Sequence, residues 1–227
     1  MELIIIFILI IILLITLKVV FRIDKKIIMQ IVENEKLNSI VQRLPDNIEI
    51  CKEILKKFKN EKVIIEEEEN TNCFYFVATD KIILNKDKKF FTRVQTIAHE
   101  CVHSIQEKRI LWFNYIFTNL LNLFWLLVTI LTIIGVIKNY ILFTLIMLIL
   151  TMVFYIMRSY LEIEAMTKAK YISKEYLEEK NVKETKEIIA EYEKINNIGI
   201  KYTCYKLIAS KLYLIMLYII ICLIKLL

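Results

Sequence analysis

Residues 110–157 read ILWFNYIFTNLLNLFWLLVTILTIIGVIKNYILFTLIMLILTMVFYIM, a stretch with no Asp or Glu and a single Lys, Lys138. Lys138 and Asn139 divide it into two apolar runs, each close to the ~20 residues that cross the hydrocarbon core of a bilayer. Backbone polar groups in lipid have to be bonded within the segment, so both runs are expected to be helices. The break near Gly135 is short, and the two helices should form a tight hairpin. Asn114, Asn119 and Asn122 in the first run can bond between helices or sit at the interface.

Two further spans lie outside this hairpin. Leu3 to Leu17 is uninterrupted aliphatic sequence, and Lys18 can snorkel while Val19 to Phe21 extend the run. It lacks the basic start and small-residue cleavage site of a signal peptide, so residues 1–21 are expected to be an uncleaved anchor. Residues 207–227 are apolar apart from Ser210, Lys211 and Lys225, and are expected to cross with both lysines snorkelling. About four transmembrane helices follow. The 57% hydrophobic composition, with two Gly and one Pro, agrees with a multi-pass membrane protein and excludes an ordinary soluble domain.

Charge sets the expected orientation. In the four-span arrangement 29 of the 31 Lys and Arg fall on one side, which the positive-inside rule makes cytoplasmic, with both termini outside. Lys alternates with Glu without forming a patch, and a net charge of +6 argues against a nucleic-acid surface while suiting anionic lipid headgroups. The five Cys (51, 73, 101, 204, 222) show no C-x-x-C and no regular spacing. They indicate neither a disulfide framework nor a thiolate metal site.

The polar residues form two segments, 22–109 and 158–206, which the hairpin at 110–157 allows to meet as one small α+β unit. In the first, the spacing predicts a helix over 25–44, broken by Pro45. Asp46 is placed to cap a second helix reaching about Asn60. Strands are predicted at 63–67 and 74–84, and a helix from about Phe90. The second segment should hold helices at 160–180 and 181–196, the latter ending at Asn197 to Gly199.

The helix from Phe90 carries TIAHECVHSIQ, residues 96–106, with both histidines of the chain. Within it His99-Glu100-Cys101-Val102-His103 is an H-E-x-x-H motif. Positions i and i+4 lie about 40° apart on a helix, so the two imidazoles can reach one ion. Zinc accepts imidazole nitrogen, and a catalytic zinc takes three protein ligands and keeps one position for water. Glu100 is placed to take a proton from such a water as general base. Cys101 points away from the histidine face and reads as a small core residue.

A third ligand is needed. The hairpin holds no acid, and the first acids after it are Glu162 and Glu164. They project about 200° apart on a helix, so one at most faces the metal. Glu162 shares its face with Ala165, Met166 and Ala169, which suit close packing, whereas Glu164 pairs with Lys168 at i+4 as on a solvated surface. Glu162 is the expected third ligand.

This order of motifs resembles the gluzincin-type membrane zinc peptidases, in particular the bacterial YugP-type neutral zinc metallopeptidases. Those proteins have an N-terminal anchor, an A-H-E-x-G-H-x-I-Q helix, a membrane hairpin and an E-F-x-A helix. Here the corresponding stretches are AHECVHSIQ, the hairpin, and Glu162-Ile163-Glu164-Ala165, with ATDKIILNKD (residues 78–87) in place of the strand before the zinc helix. Val102 replaces the family's usual Gly, and Met166 stands where related HtpX and CAAX prenyl peptidases have Asp. The resemblance implies a zincin-like α+β domain and Zn2+ held by His99, His103 and Glu162. It also implies Glu100 as catalytic acid/base, and a peptide or protein substrate hydrolysed on the cytoplasmic side near the membrane. Thr79 to Leu84 is the candidate for an edge strand that would pair with that peptide, with an ordinary interior strand as the equal alternative. Arg158, Tyr160 and Tyr171 are candidates to stabilise the oxyanion. A non-catalytic membrane metal sensor or scaffold is the alternative from another class.

Overall fold

The computed structural model describes residues 1–23, 25–69 and 72–226. In chain order these form α1 (Glu2–Val20), α2 (Lys25–Val32), α3 (Glu35–Val41), α4 (Asn47–Lys57), β1 (Ile64–Glu68), β2 (Phe74–Phe76) and β3 (Lys81–Asn85). Four more helices follow: α5 (Arg93–Ile105), α6 (Lys108–Ile133), α7 (Tyr140–Glu179) and α8 (Thr185–Leu226). The protein is mostly helical, with a small three-stranded sheet. Among the described residues α1, α6, α7 and α8 are the helices long and apolar enough to cross a membrane. Two compact units divide the chain: Met1–Ile23, Phe113–Tyr160 and Lys201–Leu227 form one, Asp24–Trp112 and Leu161–Ile200 the other.

In the first unit the buried residues of α1, Leu3, Ile10 and Leu14, repeat along one stripe and join a core with Val128, Met147, Leu212, Ile215 and Ile219. Many other large apolar side chains face outward, Ile8, Leu9, Leu120 and Ile149 among them. An apolar exterior of this kind is suited to lipid. Gly135 ends α6 with φ +82, the left-handed conformation that a residue without Cβ adopts most cheaply. Asn139 starts α7 by accepting a hydrogen bond from the Leu142 N–H at 3.2 Å. Thr129 and Thr144 return their hydroxyls to carbonyls one turn earlier, so they add no orphan polar group to the apolar helices. Of the three Asn, Asn122 accepts from Lys211 Nζ at 2.6 Å, so one lysine of the last span has a polar partner.

In the second unit β3 is central, parallel to β1 and antiparallel to β2. Ile82 and Leu84 on its inner face share a core with Ile50 and Ile54 of α4 and with Val94, Ile97 and Ala98 of α5. Arg93 opens α5 and is 6% exposed. Its guanidinium donates to the carbonyls of Val41, Leu44 and Pro45 at 2.8, 3.0 and 2.9 Å and to Asn47 Oδ1 at 2.7 Å. The Leu44 and Pro45 carbonyls are acceptors left over where α3 ends and α4 begins, the Val41 carbonyl also accepts the Leu44 N–H, and a cation is the favoured partner for a helix C-terminus.

Several expectations are corrected. The helix expected over 25–44 is two helices, with Asn34 Oδ1 accepting from the Leu37 N–H to start α3. Asp46 stands at the N-cap of α4, but its side chain makes no capping bond and pairs with Lys88 instead. The single strand expected at 74–84 is β2 and β3 joined by a turn whose last residue, Asp80, takes φ +50. Thr79 to Leu84 therefore does not provide an edge strand: β3 is flanked on both sides, and the edges are β1 and β2. The helix expected at 160–180 is the second half of the continuous α7, and α8 runs on through Asn197 to Gly199. A Cβ at Gly199 would lie 3.0 Å from Met166 Cε, the end of a flexible side chain.

Candidate metal centre

α5 buries one face completely, through Val94, Ile97, Ala98 and Cys101. With that face fixed, His99 and His103 project together from another, and their Nε2 atoms are 3.0 Å apart. Glu162 comes from α7, whose Leu161, Ala165 and Ala169 are buried and let the helix pack closely. Its Oε2 lies 3.4 Å from His99 Nε2 and its Oε1 3.8 Å from His103 Nε2. The ligand atoms of the three residues lie within 4.8 Å of one another, a grouping that can hold a metal ion. The side chains are 19%, 7% and 13% exposed, with His99 the most accessible.

The surrounding hydrogen bonds hold these two helices in place. Gln106 is the C-cap of α5, where the backbone turns out of the helix at φ −62, ψ 161. Its side chain reaches back, placing Oε1 2.7 Å from His103 Nδ1. Its Nε2 donates to the Leu161 carbonyl and to Glu164 Oε2, both at 2.8 Å. Asn196 of α8 does similar work one turn away. It accepts from Gln95 Nε2 of α5 at 2.7 Å and donates to the Met166 carbonyl of α7 at 3.0 Å.

Glu164 pairs with Lys168 at 2.6 Å as its spacing suggested. The hydrogen bond from Lys168, helped by Gln106, holds its carboxyl below the usual range against the opposing effect of burial. Cys101 is fully buried with its Sγ 3.6 Å from that of Cys51. Burial pushes its thiol well up, as expected of a small core residue.

No protein-family model, curated protein or solved structure matches this chain. The reading of the site therefore rests on its own geometry.

Glu100 follows His99 on α5, is 6% exposed, and is not one of the converging ligand atoms. Tyr171 is 61% exposed and nine residues beyond Glu162, which puts it on the opposite face of α7. That removes it as an oxyanion donor. Arg158 and Tyr160 belong to the apolar unit. The sequence reading missed Gln106 and Asn196. Gln106 lies in the TIAHECVHSIQ stretch, but its backbone leaves the helix at the C-cap, so helical spacing does not say where its side chain points, and nothing marks Asn196 among the other polar residues of its helix.

Proposed function

We propose that the chain is a zinc-dependent metallopeptidase anchored in a membrane, of the kind that the YugP-type enzymes represent, with its site on the cytoplasmic side. The observation that carries this reading is the convergence of His99 and His103 with Glu162, a carboxylate delivered by a separate helix.

The donor set fits zinc. Two imidazole nitrogens and one carboxylate are a common catalytic zinc set. Ligands at ~2.0–2.1 Å from a tetrahedral ion lie about 3.3 Å from one another. The two Nε2 atoms at 3.0 Å, His99 Nε2 and Glu162 Oε2 at 3.4 Å, and His103 Nε2 and Glu162 Oε1 at 3.8 Å lie near that distance, each histidine facing a different carboxylate oxygen. Among the described residues the grouping has three members, which leaves room for water and favours an enzyme over a closed structural site.

A bound zinc ion would supply Lewis acidity, polarising the scissile carbonyl and making water a nucleophile near neutral pH. His99 and His103 of α5 and Glu162 of α7 would hold such an ion. Glu100 accepts the proton of the attacking water and delivers it to the amine of the leaving peptide. The buried neighbours of α5 limit solvent there, which strengthens each of these interactions.

Glu100→Gln tests the assignment, because it keeps the shape of the side chain and removes its basicity. The variant is expected to retain metal and to lose peptide hydrolysis by at least about 100-fold, within the range general-base removal produces. Hydrolysis at the wild-type rate would refute Glu100 as the base.

A further inference from the structure

The amide of Gln106 has no freedom of orientation. Its Nε2 faces two oxygens, the Leu161 carbonyl and the Glu164 carboxylate, each at 2.8 Å. A carbonyl and an ionised carboxylate only accept, so both N–H groups of the amide are used there. Reversing the amide would set its oxygen against two acceptors. Oε1 must then be the atom 2.7 Å from His103 Nδ1. An amide oxygen cannot donate, so the proton in that contact belongs to Nδ1 of the ring. A neutral imidazole protonated at Nδ1 carries its lone pair on Nε2. That is the atom 3.0 Å from His99 Nε2 and 3.8 Å from Glu162 Oε1.

We infer that Gln106 is a positioning residue with two linked tasks. It fixes the His103 tautomer that carries the lone pair on Nε2, and it ties that ring to the turn of α7 that presents Glu162. The second task follows from its partners, since Leu161 and Glu164 flank Glu162 within two residues on either side. One buried side chain thus couples two of the three ligands, one on α5 and one on α7. The inference rests on the metallopeptidase reading for what His103 binds, and on hydrogen-bond chemistry alone for the state of its ring.

The chain's two histidines make the test clean, because labelling with 15N-histidine yields only two imidazole spin systems. The experiment uses the full-length protein in detergent micelles, stripped of metal, at mildly alkaline pH. His103 is expected to show a protonated Nδ1 and an unprotonated Nε2. Gln106→Met, which keeps length but neither donates nor accepts strongly, is expected to abolish this preference and to weaken zinc binding 10- to 100-fold, as loss of a ligand-orienting partner does. Gln106→Glu retains an acceptor for His103 while setting a carboxylate against Leu161 O and Glu164. It is expected to keep the ring signature and still weaken zinc binding.

His103 protonated at Nε2 in the wild type would overturn the inference, as would a Gln106→Met protein with unchanged ring state and zinc affinity. Should Gln106→Met fail to fold, the wild-type spectrum decides alone. A wild-type protein with the expected ring signature that takes up no zinc would refute the metallopeptidase reading and leave the role of Gln106 standing.

Discussion

At the scale of single residues, the site depends on two kinds of side chain that differ in how visible they are. His99 and His103 are legible because helix periodicity alone puts i and i+4 on one face. Glu162 is reachable because the apolar hairpin offers no other acid and its neighbours are small. Gln106 is harder to place because its backbone has left the helix, so periodicity no longer says where the side chain points. Asn196 reaches Gln95 and Met166 only through tertiary packing. Arg93 shows the energetic side of the same point. Arg93→Met would leave the carbonyls of Leu44 and Pro45 without their donor, while that of Val41 keeps the Leu44 N–H at 3.1 Å. Unsatisfied buried acceptors cost ~1–3 kcal/mol each when water cannot replace the lost partner. A loss of about 3 kcal/mol is expected in denaturant unfolding, with a fall in metal affinity because Arg93 opens the helix that carries both histidines. Unchanged stability would show that water reaches those carbonyls.

At the scale of elements, the sequence reading placed most helices correctly and ended several wrongly. α7 and α8 continue across the change from apolar to charged sequence, at Arg158 and before Leu207, because composition changes there but helix propensity does not. Gly199 looked like a stop, yet it lies within the continuous α8, where the end of Met166 approaches it. The turn between β2 and β3 contains no Gly or Pro, and Asp80 supplies the left-handed residue, which hid the division of one long apparent strand. That error moved the substrate-pairing strand to the centre of the sheet. What survives is an α5 packed on a small sheet, with the same three residues gathered at one side of the helix.

At the scale of the whole molecule, four helices among the described residues are long and apolar enough to cross a membrane, and their apolar outward faces suit lipid. From the distribution of Lys and Arg we propose that the turn at Lys138 and Asn139 lies on the outer side. In intact cells Asn139→Cys is expected to react with a membrane-impermeant thiol reagent, while Lys88→Cys, in the polar unit, is expected to react only after permeabilisation. The reverse pattern would place the metal centre outside.

The most direct measurement is the metal content of the full-length protein purified in detergent without added metal, compared with Glu162→Ala. About one zinc per wild-type chain is expected, with most of it lost in Glu162→Ala, since a catalytic site needs its third protein ligand. A wild-type protein without zinc, or a Glu162→Ala protein that holds it as well as the wild type, would contradict the proposed centre.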